Sequence, residues 1–141
     1  MNDAPSHETR AQAMIVQSLD TFQKRVDEWM QVTFGTKESA RQVTERADRF
    51  LEEALELYQA AGNSKQSALQ LVDYVFGRPV GEPVDEIAGT LVTLFALATP
   101  LNANVANAAE LALIKCWRNV EKIRAKDAAK PSFSPLPGQV L

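Results

Sequence analysis

Apolar residues return every three or four positions along most of the chain, and no stretch alternates strictly between apolar and polar residues. The first spacing is that of the buried stripe of an amphipathic helix, whereas strict alternation is the pattern of a half-buried strand. The sequence therefore predicts an all-α protein built as a bundle of about five helices.

Turn and capping residues give the expected boundaries of these helices. Gly62 and Asn63 are typical of a left-handed helix end, and Thr36 or Ser39 can cap the second helix. The expected helices are a long first one ending at Gly35, a second from about Glu38 to Ala61, a short third one that begins after Ser64, a fourth from Pro83 to about Ala98 and a fifth from about Val105 to Lys126.

The fourth helix differs from the others because apolar residues surround its axis. A helix that is apolar on all sides is expected at the centre of a bundle. One lane along it is instead small and polar, formed by Gly89, Thr90 and Thr93, and leaves room for another group. The apolar positions are Ile87, Ala88, Leu91, Val92, Leu94, Phe95, Leu97 and Ala98.

Length and composition are those of one globular domain. The chain has 141 residues, 45% of them hydrophobic and 23% charged, which is enough to bury a sizeable core without disulfides. Residues 1–126 are predicted to form this domain. Residues 127–141 are rich in proline, which does not continue a helix, and are predicted to be an extended tail.

Charge and cysteine content exclude several classes of function. The net charge of −3 argues against general nucleic-acid binding, which relies on a basic surface. The longest apolar run, Ile87 to Ala98, is far shorter than a membrane span. Cys116 is the single cysteine, and the N-terminus lacks the pattern of a signal peptide. A cytoplasmic protein that binds no membrane is expected.

The stretch "RFLEEALELYQAAG" places Glu52, Glu53 and Glu56 in the second helix. At 100° per residue, Glu53 and Glu56 border the apolar face, whereas Glu52 points more fully to solvent. A solvated acidic face is the ordinary interpretation of such a run. A metal site is the alternative, and it depends on carboxylates elsewhere in the chain.

Such carboxylates stand at the start of the fourth helix, as Asp85 and Glu86. Buried carboxylates are rare unless they are paired or bound to a cation. Alternatively, both residues only favour the positive end of the helix dipole, an effect of about 0.3 to 1 kcal/mol. Glu53, Glu56 and Glu86 together would form an oxygen-only cage that suits Mg²⁺, Mn²⁺ or Ca²⁺. His7 is the only histidine, so neither a zinc site nor a catalytic triad is expected.

The fifth helix carries charge of the opposite sign. Its stripe is either a solvated basic face or a surface for phosphates that a metal bridges to the carboxylates. No glycine-rich phosphate loop is found in the sequence, so side chains would have to bind the phosphates. The stripe consists of Lys115, Arg118, Asn119, Lys122 and Lys126.

This order of features resembles the MazG-like, all-α NTP pyrophosphohydrolase superfamily, over about residues 38–126. "EEALE", from Glu52 to Glu56, matches the family's "EExxE" motif, and Glu86 stands where its "ExxD" motif begins. "KCWRNVEKIR" matches the third motif loosely. The connector "GRPVGEP" and the closing "SPLPG" look like those of a phage or bacterial subgroup.

The resemblance implies cleavage of a nucleoside triphosphate between its α and β phosphates, with Mg²⁺ or Mn²⁺ as the cofactor. The products would be the monophosphate and pyrophosphate. By position, Glu53, Glu56 and Glu86 would be the catalytic metal ligands, with Asp85 and Glu52 as further ligands. The substrate would contact Lys115, Asn119 and Arg124, with Trp29 or Phe34 on the base.

The sequence departs from the family pattern at Gly89, where the second motif ends in aspartate. Asp85 or Glu82 could approach the same side of the helix, or the site binds fewer metal ions. The alternative function is a nucleotide-binding or interaction module that has lost full activity. A related phosphoribosyl-ATP pyrophosphohydrolase would use the same site.

A homodimer or higher homo-oligomer is also expected. The first helix has a long apolar seam that ends in Trp29 and Met30. Five helices with apolar faces hold more apolar surface than one small core can hide.

Overall fold

The computed structural model describes residues 7–35, 42–131 and 136 of the chain. These residues form helices without any strand, which confirms the all-α class. The helices are α1 (His7–Phe34), α2 (Val43–Ala60), α3 (Lys65–Phe76), α4 (Pro83–Ala98), α5 (Val105–Arg118) and α6 (Val120–Ala128).

The two glycines predicted to end helices do so in left-handed conformation. Gly35 follows α1 with φ 59°, and Gly62 follows α2 with φ 92°. At the second end, Gly62 N–H donates to the carbonyl of Gln59 at 2.9 Å, and Asn63 N–H donates to that of Tyr58 at 3.3 Å. This pair of bonds is the Schellman motif, which satisfies carbonyls that the helix leaves without partners.

The predicted helix starts are also confirmed where the structure describes them. Ser64 precedes α3, and its Oγ accepts the N–H of Ser67 at 3.1 Å. Pro83 is the first residue of α4, where a missing N–H removes no helical bond. The expected start of α2 at Glu38 and its proposed caps Thr36 and Ser39 lie outside the described residues.

The predicted fifth helix is divided into α5 and α6 at Asn119. Its backbone leaves the helical region, with φ −114° and ψ 19°. The side-chain Nδ2 donates to the carbonyl of Lys115 at 2.7 Å. Such local bonds compete with the helical ladder. The prediction of one continuous helix to Lys126 was therefore wrong. The helix α6 continues through Ala128, into the segment that was predicted to be an extended tail.

The core of the chain lies where α1 packs against α5 and α6. Leu113 of α5 is the most buried apolar residue described, with 4% of its surface exposed, and Thr33 near the end of α1 is 3% exposed. Arg124 of α6 joins these elements because its Nε donates to the carbonyl of Thr33 at 2.9 Å.

A bidentate ion pair aligns α1 with α5. Arg25 Nη1 and Nη2 donate to Glu110 Oε2 and Oε1 at 2.7 and 2.6 Å. These bonds hold the pKa of the Glu110 carboxyl below its usual range and raise the pKa of Arg25. Both side chains face water, so the pair contributes more to alignment than to stability.

The helix α4 is largely exposed, and the prediction that it is buried on all sides was wrong for the chain alone. Ile87 is 68% exposed and Val92 69%, and only Ala98 of this helix is buried. A trough of about 700 Å³ separates α4 from α1 and α5. The extensive packing of the described helices joins α1, α5 and α6 to one another and leaves α4 only lightly covered, which explains the difference.

None of the described helices is both long and apolar enough to cross a lipid bilayer.

Candidate functional site

Glu53 faces α4 across a gap of about 340 Å³. Thr90 and Thr93 line the opposite side of this gap, so the small polar lane of α4 is turned towards the carboxylate. Thr93 Oγ1 donates within its own helix, to the carbonyls of Gly89 and Thr90 at 3.0 Å. The remaining walls are largely apolar, formed by Phe50, Ala54, Leu57, Tyr58, Leu94 and Leu97.

Glu86 begins the same lane, one turn before Thr90, but its carboxylate is directed elsewhere. Its Oε1 occupies the position that a Cβ on residue 81 would take. Gly81 therefore makes room for this carboxylate beside the connector. In the single chain, Glu86 therefore lies beside Gly81 and does not line the gap that Glu53 faces.

The other two glutamates of the "EEALE" motif line a different gap. Glu52 and Glu56 face α3, where Lys65 and Asn63 lie on the same walls. Glu52 Oε2 also accepts Arg49 Nη1 at 2.6 Å. Glu53 and Glu56, which are neighbours on the helix, are thus directed to different clefts.

Asp85 and Glu86 are exposed in the first turn of α4, so the expectation that they are buried was wrong. Interaction with the helix dipole is sufficient to explain Asp85. Within the described chain, no three acidic, histidine or cysteine side chains gather as a metal site would require. The carboxylates are therefore not assembled in one chain, and their role as ligands stays a prediction.

The predicted phosphate-binding residues have unequal freedom to bind a substrate. Lys115 is exposed in the last turn of α5. Asn119 is occupied in its bond to the Lys115 carbonyl. Arg124 donates to the carbonyls of Val32 and Thr33 and to Glu121. The structure thus gives Arg124 a role at the end of α1, and Lys115 is the cation best placed to meet an anion.

The two aromatic residues considered for base stacking pack against each other. The rings of Trp29 and Phe34 lie 5.8 Å apart, edge to face, and the guanidinium of Arg46 lies 5.6 Å from the centre of the Phe34 ring. Such contacts are typical of a packed cluster. Trp29 and Phe34 therefore join the end of α1 to the start of α2.

Cys116 lies close enough to Glu53 to sense its charge, a neighbourhood that the sequence did not reveal. Burial raises the pKa of the Cys116 thiol, the charge of Glu53 raises it further, and Lys115 lowers it. The three residues stand on α2 and α5, which are more than 40 positions apart in the chain. Only the tertiary structure brings such residues together.

This neighbourhood predicts the reactivity of the thiol. The Glu53→Gln variant removes a negative charge, so the pKa of Cys116 should fall and its thiolate fraction should rise at a given pH. The rate of alkylation by iodoacetamide, followed from about pH 7 to 10 around the ordinary thiol pKa, should then reach half of its plateau at lower pH. Glu45→Gln is the control on the same helix and should leave the profile unchanged.

The sign of the accompanying stability effect follows from the raised pKa. The thiol of Cys116 has a higher pKa in the folded than in the unfolded protein. Its contribution to the free energy of unfolding is therefore complete at pH values below the unfolded pKa and is lost as the pH rises through the folded pKa.

An identical alkylation profile for Glu53→Gln and the parent protein would contradict the proximity of Glu53 to Cys116.

The candidate site thus consists of Glu53, the small polar lane of α4, Lys115 and Cys116. Comparisons of the chain with known protein families, with curated proteins and with solved structures find no match.

Proposed function

We propose that this protein is a Mg²⁺-dependent nucleoside triphosphate pyrophosphohydrolase of the MazG-like type. It would convert a (d)NTP to the (d)NMP and pyrophosphate, as a cytoplasmic homodimer that cleans the nucleotide pool. The observation that carries the proposal is the position of Glu53, the second residue of "EEALE", opposite the small polar lane that Glu86 begins.

The chemistry of these donors fits a hard cation. Carboxylates and hydroxyls are the oxygen ligands that Mg²⁺ prefers, and no histidine stands in the described part of this site. Glu53 would hold the ion, and Glu86 would join it by rotating its flexible side chain away from Gly81. When bound, Mg²⁺ would offset the charge of the triphosphate and favour attack of water on the α-phosphorus.

The residues of the chain then have defined tasks. Water adds to the α-phosphorus, the bond to the bridging oxygen breaks, and pyrophosphate leaves. The Lys115 ammonium would offset the charge that develops on this leaving group. Asp85 and Glu82, both exposed at the start of α4, would be available to accept the proton that the water loses.

The test is the release of pyrophosphate from a panel of canonical and modified nucleoside triphosphates, with and without Mg²⁺. At least one nucleotide should be converted to its monophosphate in an amount equal to the pyrophosphate, and chelation of the metal should stop the reaction. If no nucleotide of the panel turns over, the hydrolase proposal is wrong.

A second candidate is a nucleotide-binding or interaction module. It is favoured by the placement of Glu53 and Glu56 in different gaps, neither of which Glu86 lines, and by Gly89 in place of the family's aspartate. Titration with a nucleotide separates the two functions. Binding without turnover would indicate a sensor, and neither metal nor nucleotide binding would indicate an interaction module.

Restoring the missing carboxylate should strengthen the site. A Cβ on residue 89 would meet no atom within 4 Å, so an aspartate fits there without displacing a neighbour. Gly89→Asp is expected to tighten Mg²⁺ binding and to raise the rate of pyrophosphate release about tenfold, the low end of what one metal-site interaction contributes. Isothermal titration and the pyrophosphate assay measure the two effects.

Gly89→Asn is the matched control, since it adds the same volume without the charge. It should gain helix stability from the loss of glycine but leave Mg²⁺ affinity unchanged. Equal effects of Gly89→Asp and Gly89→Asn would show that position 89 does not face the metal.

A further inference from the structure

Three polar side chains at the junction of α1 and α2 bury a hydrogen-bond donor that meets no acceptor. The atoms are Trp29 Nε1, Thr33 Oγ1 and Arg46 Nε, and each is buried without a partner in the part of the chain that the structure describes. Thr33 as a whole is only 3% exposed. Buried donors are almost always paired in folded proteins, because an unpaired donor loses its hydrogen bonds to water without replacement. Three such donors at one junction therefore indicate a missing partner.

Ring and sulfur contacts gather these residues into one cluster. Thr33 follows Trp29 by one helical turn, so both side chains lie on the same face of α1. The Trp29 ring lies edge to face with the Phe34 ring at 5.8 Å, and the guanidinium carbon of Arg46 lies 5.6 Å from the centre of the same Phe34 ring. Arg46 Nη1 also donates to Met30 Sδ at 3.6 Å. We call Trp29, Thr33 and Arg46 the donor cluster.

The chemistry of the donor cluster identifies the kind of partner. The indole Nε1 and the guanidinium Nε can only donate, and the threonine hydroxyl can donate as well. A water molecule has two lone pairs, so one water cannot accept from all three donors. The oxygens of a carboxylate or a phosphate have more acceptor sites, and hydrogen bonds to a charged acceptor are the stronger ones. The donor cluster therefore suits an oxyanion better than a water molecule.

Charge and access at this junction are compatible with an anion. Arg46 Nη2 pairs with Glu45 at 3.3 Å, which is long for a charge-assisted bond, and the buried Nε is left for a second acceptor. The guanidinium of Arg124 adds a second cation at the Thr33 carbonyl. Because 32% of the Arg46 side chain is exposed, a small anion can enter from its side. The Phe34 ring, which lies against the Arg46 guanidinium, has to move aside.

We propose that the donor cluster binds an oxyanion, carried by a small molecule with a phosphate or a carboxylate group. Trp29, Thr33 and Arg46 each donate one hydrogen bond to the anion, and Phe34 turns away from the Trp29 ring as the anion enters. The proposal rests on buried donors and uses neither the carboxylates of α2 and α4 nor nucleotide hydrolysis. Failure of the oxyanion site and failure of the hydrolase are therefore seen in different experiments.

The first test follows the tryptophan emission of the full-length chain without added metal. Trp117→Phe leaves Trp29 as the single tryptophan, and this protein is titrated with inorganic phosphate, acetate and chloride at constant ionic strength. Phosphate, acetate or both should change the Trp29 emission and saturate in the millimolar range, whereas chloride should not. Saturation by one anion alone assigns the site to phosphates or to carboxylates. If neither phosphate nor acetate saturates, the proposal is wrong.

The second test is Thr33→Val, because valine has nearly the shape of threonine but lacks the hydroxyl. Without the anion, this variant should unfold at a higher urea concentration than the parent, since it removes a buried polar group that has no partner. It should bind the anion about tenfold more weakly or worse, as expected for loss of a hydrogen bond to a charged group. A Thr33→Val variant that is less stable and binds the anion as tightly as the parent would overturn the proposal.

Thr21→Val is the matched control on the same helix. Thr21 is exposed and its hydroxyl donates to the carbonyl of Gln17 at 2.8 Å, so this variant should neither gain stability nor change anion affinity. Arg46→Lys keeps the charge but removes the buried Nε donor, and it should also weaken anion binding about tenfold, the effect of one charged hydrogen bond. If Arg46→Lys binds the anion as tightly as the parent, the buried donor makes no bond to it and the proposal fails.

Discussion

Replacing Glu53 with glutamine is expected to lower the rate of pyrophosphate release about 100-fold or more, while leaving the fold intact. Loss of a residue that only supports a metal ligand typically costs 10- to 100-fold, so loss of the ligand itself should cost at least that much. The side chain is exposed and faces the gap towards α4. Glutamine has the same shape, so the variant should unfold at the same temperature as the parent.

The measurement is the rate of pyrophosphate release at saturating nucleotide and at increasing Mg²⁺. Glu53→Gln should require more Mg²⁺ and remain slower when the metal is saturating. Glu45→Gln, which removes a carboxylate from the first turn of the same helix, is the control and should keep the parent rate. Equal rates for Glu53→Gln and the parent would remove Glu53 from the site.

The ends of the helices were predictable because the signals are local. Gly62 with Asn63 and Ser64 with Ser67 form their capping bonds within six residues of chain. Asn119 also acts locally, but its effect depends on whether the side chain bonds to Lys115 or remains in solvent. The spacing of apolar residues is the same in both cases, which is why α5 and α6 could not be separated in advance.

The candidate site was predictable only in part. The motif identified Glu53, and the pattern of α4 identified the lane that faces it. The direction of Glu86 depends on Gly81 in the connector, which no helical periodicity describes. The neighbourhood of Glu53 and Cys116 joins α2 to α5, and contacts so distant along the chain leave no signal in a single sequence.

The exposure of α4 has a different cause. A helix that is apolar on all sides must be covered, but the pattern does not say whether the cover belongs to the same chain. Ile87 and Val92 remain exposed after the chain has used α5 and α6 against α1. The sequence thus predicted that α4 is buried, whereas the structure of the chain leaves most of this helix exposed.

Arg124→Ala is expected to lower the free energy of unfolding by about 1.5 to 3 kcal/mol, the range for hydrogen bonds that involve a charged group. The guanidinium donates to the carbonyls of Thr33 and Val32 at 2.9 and 2.5 Å. These carbonyls belong to the last turn of α1, where a helix leaves its acceptors without partners. Thr33 is buried, so water cannot fully replace the lost donor.

Equilibrium unfolding in urea at fixed protein concentration measures this loss. Arg124→Lys should fall between the parent and Arg124→Ala, because an ammonium keeps the charge but cannot reach both carbonyls in the planar geometry of a guanidinium. Lys122→Ala, on the exposed side of the same helix, should change stability by less than about 0.5 kcal/mol. If Arg124→Ala instead keeps full stability and raises only the Michaelis constant for the nucleotide, then Arg124 binds substrate, and its bonds to α1 are dispensable.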